Sequence, residues 1–158
     1  MGERIRLHLG AGDRHWPTWT SVDIAGEPDI LSDVRRLEMD NNSVDEIAAI
    51  HLFEHLERND VESTLREWHR VLRDNGKLTL EMPCLDKIIG LWNHGHRSEG
   101  MIGRALFGMS EPAAMQHKWC YSKEEIADLL KMAGFRDVEV SDAMFHVPSR
   151  DMRVVGYK

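Results

Sequence analysis

An α/β fold built on one mostly parallel sheet is predicted by three features of this 158-residue chain. Short apolar runs closed by turn residues fill its N-terminal half. Two amphipathic stretches with helix start and stop signals follow, each leading into a further strand-like run. Two β-rich segments in succession close the chain, which predicts an antiparallel pair at that end.

The elements follow in order. "IRLHLG" (5–10) alternates apolar and polar side chains and ends in Gly. "TSVDI" (20–24) and "DILSDV" (29–34) are short strands, and "VDEIAAI" (44–50) is apolar enough to be buried on both faces. Val61, Leu65, Trp68 and Leu72 share one face of a helix, with Asn59 as its cap, Glu62 three residues on, and Asn75-Gly76 as its end. "GKLTLEMP" (76–83) is a fifth strand stopped by proline. A second helix starts at a capping box, Ser122 with Glu125, and stops at Gly134. "RDVEVSDA" (136–143) and "DMRVVGYK" (151–158) complete seven strands. Between Leu85 and Trp119 the pattern is poor, with a helical hint at "MIGRALFGM" (101–109), as in a lid or binding insertion. The reading is one domain over 1–158 with 85–119 as that lid, and with little helix after the first two strands.

Composition excludes several classes. Asp+Glu number 27 against 20 Lys+Arg, a net charge of -7, which argues against a nucleic-acid partner held through backbone phosphates. Two cysteines without metal-type spacing, and no signal-like or membrane-spanning run, point to a cytoplasmic protein without a membrane partner. Gly2 is not followed by the Ser or Thr of an acylation signal, since Arg6 stands there. Cys84 and Cys120 read as small apolar fillers.

The strand ending in Gly10-Ala11-Gly12 permits a sharp turn and close backbone approach to a ligand. Asp23, ending the next strand, can accept both hydroxyls of a ribose. A dinucleotide fold places its acid about 20 residues on, after a full helix. Only "DRHWPTWT" intervenes here, which disfavours NAD.

"LHLGAGDRHWPTWTSVDI", "SDVRRLEMDNNSVDEIAAIHLFEHL", "LREWHRVLRDNGKLTLEMP" and "HKWCYSKEEIADLLKMAGFRDVEV" together resemble, in order, class I S-adenosylmethionine-dependent methyltransferases. The likeness spans nearly the whole chain and is closest to the short bacterial-type members. It implies a Rossmann-like seven-stranded sheet and S-adenosylmethionine as cofactor. It also implies that Gly10, Ala11 and Gly12 line the methionine part and that Asp23, with Ile24 beside it, holds the ribose. Asp33 and Val34 would meet the adenine, and His51 and Leu52 would lie beside the sulfonium. The chain departs from the family's pattern at three places. The acid usual before the glycine loop reads His8 or Leu7, Leu37-Glu38-Met39 replaces Leu-Pro-Phe, and Arg73-Asp74-Asn75-Gly76 replaces Lys-Pro-Gly-Gly.

"HLFEHL" (51–56) also contains H-x-x-E-H, the spacing of one group of zinc peptidases. Such a site needs both histidines on one face of a helix, whereas a strand runs directly into His51, so no metal is expected. His94, His96, His117 and Cys120 are dispersed and read as solvated loop residues, and His69 as the exposed flank of a helix. Trp16 and Trp19 are expected to pack; Trp92 and Trp119 are open to a substrate pocket. The expected reaction is methyl transfer to an oxygen or nitrogen of a small molecule, with His51 and His117 as the candidate general bases. The rival reading is a catalytically silent cofactor-binding or interaction module. Because little helix covers one flank of the sheet, an apolar face is expected to remain there, to be covered by the lid or in a homodimer.

Overall fold

The computed structural model describes residues 4–158, so Gly2 lies outside the described residues. The strands are β1 (Arg6–Leu9), β2 (Thr20–Asp23), β3 (Ile30–Leu31), β4 (Val44–Ile50), β5 (Leu72–Pro83), β6 (Arg136–Asp142) and β7 (Asp151–Tyr157). They form one sheet in the order β3-β2-β1-β4-β5-β7-β6. β1 to β5 pair in parallel, and β7 runs antiparallel between β5 and β6. This is the Rossmann-like sheet that the resemblance implied.

The two faces differ in chemistry. Register aligns Leu7, Ile47 and Leu78, and beside them Leu9, Ala49, Leu80 and Val154. Those side chains make the core, onto which α1 (Val61–Val71) packs Val61, Leu65, Trp68 and Val71, and α4 (Lys123–Met132) packs Ile126 and Leu130. On the other face the rows read Ser21, His8, Ala48, Thr79 and Val155, then Ile50, Glu81 and Arg153. Glu81 is fully buried there and accepts Arg153 at 2.9 Å and the backbone N–H groups of Met144 and Phe145. Trp16, stacked on His8 and on Phe145, closes this face from above. No helix follows β1, β2 or β3, as expected. The face they leave carries Ser21, His8 and Thr79, with Trp16 over His8, rather than the apolar surface expected there.

The capping box holds: Glu125 donates its N–H to Ser122 Oγ at 3.1 Å, and Gly134 ends the helix with φ +104. Asn75 adopts the left-handed conformation (φ 64), but strand pairing begins earlier than expected, at Leu72 opposite Val44. Three expectations are corrected. The N-cap position of α1 is held by Asp60 rather than Asn59, without a side-chain capping bond, and the Asp60 carbonyl accepts the Ser63 and Thr64 hydroxyls. β3 has only two residues, because the Asp33 carboxylate takes the Arg35 N–H and turns the chain. The segment 85–119 contains a real helix, α2 (Leu85–Asn93), whose Leu85, Ile88, Ile89 and Trp92 have helical spacing interrupted by Gly90. The short α3 (Arg104–Phe107) sits within the 101–109 hint. Among the described residues no helix is long and apolar enough to cross a membrane.

Candidate functional site

The carboxyl ends of β1, β2 and β4 and the turn after β3 bring the cofactor candidates together. Gly10 takes φ +64 and its N–H bonds the Val22 carbonyl at 2.9 Å, tying β1 to β2. A Cβ at Gly10 would stand 2.7 Å from Leu52 Cδ1, so glycine is required for Leu52 to lie against the turn. Gly12 has φ +54 with nothing within 4 Å of its missing side chain, leaving its outer side open. Ala11 between them is buried.

Asp23 accepts the Gly12 N–H at 2.8 Å on one oxygen, and the Ile24 and Ala25 N–H groups at 2.7 and 3.3 Å on the other. A carboxylate has about four lone-pair sites, so a ribose hydroxyl still finds an acceptor there. Ile24 is 67% exposed at the strand end, an apolar surface available to a ring face. Val34 is buried, and its carbonyl accepts Trp68 Nε1 at 2.8 Å. Asp33 is engaged by Arg35, which also reaches Asp60 at 2.7 Å, and this guanidinium holds the Asp33 carboxyl below its usual range. These residues fit a nucleoside with a charged amino-acid tail: a glycine turn open on its outer side for the tail, a carboxylate for the ribose, and a polar-apolar pair for the base.

His8 is 1% exposed and stacked on Trp16 at 4.0 Å, with no hydrogen-bond partner at either ring nitrogen among the described residues. Burial lowers its pKa from 6.5 to about 4; Arg14 acts in the same direction and Asp23 opposes. The folded pKa lies below the unfolded one, so this contribution to stability is present above about pH 6.5 and is lost as pH falls towards 4. Between pH 7 and pH 5 the loss from this residue is roughly 2 kcal/mol. Urea unfolding of His8→Phe is expected to show that part of the acid sensitivity flattened; equal pH slopes in both proteins would show that His8 is not its source.

His51 turns the chain out of β4 with φ 54, an uncommon conformation for a side chain of this size. Its Nδ1 meets Glu54 Oε1 at 2.7 Å, and Nε2 lies 3.3 Å from Asp151 Oδ2, within ion-pair range though off a hydrogen-bonding line. Burial opposes its charge, but Asp151 and Glu54 outweigh that and raise its pKa to about 9. The two carboxylates thus favour the charged form of the ring, the opposite of what a general base at this position needs. Asp151 is in turn gripped by Arg150 at 2.6 and 2.8 Å; against the effect of burial, His51 and Arg150 hold it well below the usual carboxylate range. The His146 ring lies tilted against His51, centroids 3.9 Å apart. Of Glu54, His146, Arg150 and Asp151, which the sequence reading gave no part in the site, Glu54 lies inside H-x-x-E-H and the others come from the far end of the chain.

His117 is not a solvated loop residue. Its Nδ1 bonds the Ala105 carbonyl at 2.9 Å, and its side chain is 10% exposed with Nε2 3.9 Å from Glu54 Oε1. The segment 116–121 that returns to α4 is seated by the Lys118 N–H on the Glu54 carbonyl at 2.7 Å, and Trp119 Nε1 bonds Glu125. His69 is half-buried, edge-on to Phe135 at 5.1 Å, rather than on an exposed flank. Trp16 and Trp19 pack edge to face at 5.4 Å, as expected. Cys84 is buried and Cys120 packs at the lid, consistent with fillers.

Residues 19–80, from β2 through most of β5, match the family model described as a methyltransferase domain. Among solved structures, a Thermotoga maritima S-adenosylmethionine-dependent methyltransferase, described as a possible histamine N-methyltransferase, aligns with TM-score 0.68 at 17% identity over 100% of this chain and 84% of its own. An Archaeoglobus fulgidus S-adenosylmethionine-dependent methyltransferase gives 0.66 at 16% identity over 99% and 87%. The Burkholderia thailandensis 1,6-didemethyltoxoflavin-N1-methyltransferase, solved with 1,6-didemethyltoxoflavin and S-adenosylhomocysteine, gives 0.63 at 15% identity over 99% and 72%. No curated protein matches the chain. The matched segment is thus similar to a methyltransferase domain, and the fold is the one shared by these S-adenosylmethionine-dependent methyltransferases.

Proposed function

We propose that this protein transfers a methyl group from S-adenosylmethionine to an oxygen or nitrogen of a small molecule. The observation that carries this reading is the convergence of Gly10, Gly12, Asp23, Ile24 and Val34 at the strand ends where this fold holds ligands. Gly10, Ala11, Gly12 and Leu52 would line the methionine portion, Asp23 the ribose, and Ile24, Asp33 and Val34 the adenine. The bound cofactor supplies an electrophilic methyl on a sulfonium: its C–S bond breaks as a C–O or C–N bond forms, and the acceptor gives up a proton.

His51, at the end of β4, is held towards its charged form rather than as a proton acceptor, which leaves placement of the acceptor as the chain's main contribution. The lid, residues 85–119, would select that acceptor. Between α2 and α3 it holds an apolar hollow of about 470 Å³, lined by Ile88, Ile89, Trp92, Ile102 and Phe107, with Arg97 at its edge. An acceptor with an apolar body and a single anionic or polar group fits that lining. Bare ammonium or sugar acceptors do not.

The test is a screen of apolar-bodied alcohols, phenols and amines with S-adenosylhomocysteine release as readout. Turnover with at least one class is expected, falling when Ile88→Asp or Phe107→Asp places a charge in the hollow. Cofactor binding without turnover across all classes would favour the silent module. Turnover indifferent to those substitutions would place the acceptor elsewhere.

A further inference from the structure

The second half of the H-x-x-E-H motif has a use apart from methyl transfer. We propose that Glu54, His55 and His117 form a divalent-cation site, suited by its donors to zinc, that joins the end of β4 to the segment that returns to α4. One ligand atom from each of the three lies within 4.8 Å of the others. A tetrahedral zinc with bonds of about 2.0–2.1 Å spaces its ligands roughly 3.3 Å apart, so small side-chain movements complete the set.

Three independent features prepare these side chains as ligands. His55 donates Nδ1–H to the Gln116 carbonyl at 3.0 Å, and His117 donates Nδ1–H to the Ala105 carbonyl at 2.9 Å. A carbonyl only accepts, so each imidazole is fixed in the tautomer whose Nε2 carries a free lone pair, the orientation seen behind metal-bound histidines. The rings meet edge to face at 4.8 Å. Glu54 is fully buried; its Oε1 is met by His51 and lies 3.9 Å from His117 Nε2, and its Oε2 has no hydrogen-bond partner among the described residues. A buried, unsatisfied carboxylate oxygen is costly, and a cation is the partner that would relieve it.

The local chain geometry explains why the motif does not work as a peptidase helix would. His51 leaves the strand with φ 54 and is diverted to Asp151, while the turn Phe53–His55 carries Glu54 and His55 towards the lid. His117 takes the place that His51 has in the peptidase pattern. Two histidines and one carboxylate leave a fourth position open for water or another oxygen ligand. An entry route exists: His117 lines an opening with Arg104, Ser110, Glu111 and Gln116.

The experiment uses the untagged full chain, stripped with chelator and dialysed against micromolar Zn²⁺, with metal content measured by mass spectrometry and affinity by competition with a chromophoric chelator. One zinc per chain is expected. His55→Ala, His117→Ala and Glu54→Gln should each weaken binding by about a hundredfold or more, whereas His94→Ala/His96→Ala should leave it unchanged. Loading the wild-type chain with Co²⁺ gives a readout independent of any variant's folding: intense visible bands of a four- or five-coordinate ion support the site. Substoichiometric zinc, a weak six-coordinate cobalt spectrum, or affinity lost only in the His94/His96 variant would overturn it and leave the cluster as a hydrogen-bond network.

Discussion

Replacing Trp68 by Ala is expected to cost about 3–5 kcal/mol of stability, the range for removing a large buried aromatic side chain. Trp68 is fully buried on α1, its ring 5.9 Å from Phe53, so truncation opens a cavity between the helix and the end of β4. It also leaves the Val34 carbonyl, which accepts Trp68 Nε1 at 2.8 Å, without that partner. The cavity and the lost bond add, because a buried acceptor left unmade carries its own penalty. Trp68→Phe separates them: it keeps most of the packing and loses the bond, so a smaller cost of about 1–3 kcal/mol is expected. Urea unfolding with a common slope for all three proteins measures both. Trp68→Ala within 1 kcal/mol of wild type would mean that α1 does not anchor the segment carrying Asp33 and Val34.

Asp23→Ala is expected to weaken S-adenosylhomocysteine binding by about 1.5–3 kcal/mol, roughly ten- to 150-fold, the cost of losing charge-assisted hydrogen bonds. The side chain has two tasks. It holds the glycine turn through Gly12, Ile24 and Ala25, and it would present its remaining lone pairs to the ribose. Asp23→Asn keeps an acceptor oxygen for the turn but loses the charge. Calorimetry should therefore place it between wild type and Asp23→Ala, with thermal stability closer to wild type. Unchanged affinity in both variants would remove Asp23 from the site.

Much of the fold was legible because its signals are local. Ser122 and Glu125 lie three residues apart, Gly134 follows the last apolar position of α4, and the β1 to β5 runs are each bounded by turn residues. α2 was missed: Leu85, Ile88, Ile89 and Trp92 have helical spacing, but Gly90 and the histidines that follow broke the pattern. The polar second face was not foreseen: His8, Thr79 and Glu81 are all buried, His8 under Trp16 and Glu81 under the loop that carries Met144 and Phe145.

The charged chain around His51 could not be read at all. His51 meets Asp151 and His146 from the last strand and the loop before it, and Glu54 meets His117 from the lid. Such pairs depend on which strand ends adjoin, and a sequence motif records only neighbours along the chain. The resemblance pointed to His51; the two carboxylates that favour its charged form come from outside any motif read for it.

The central claim, that S-adenosylmethionine sits across the carboxyl ends of β1 and β2 with its reactive end towards His51, is tested most directly by hydrogen–deuterium exchange with and without S-adenosylhomocysteine. Protection is expected in peptides covering residues 9–13, 22–25, 32–36 and 51–53, with β6 and the C-terminal half of α4 unchanged. Saturable binding that protects α4 or β6 while leaving the Gly10–Gly12 turn and Asp23 exchanging as in the free protein would contradict it.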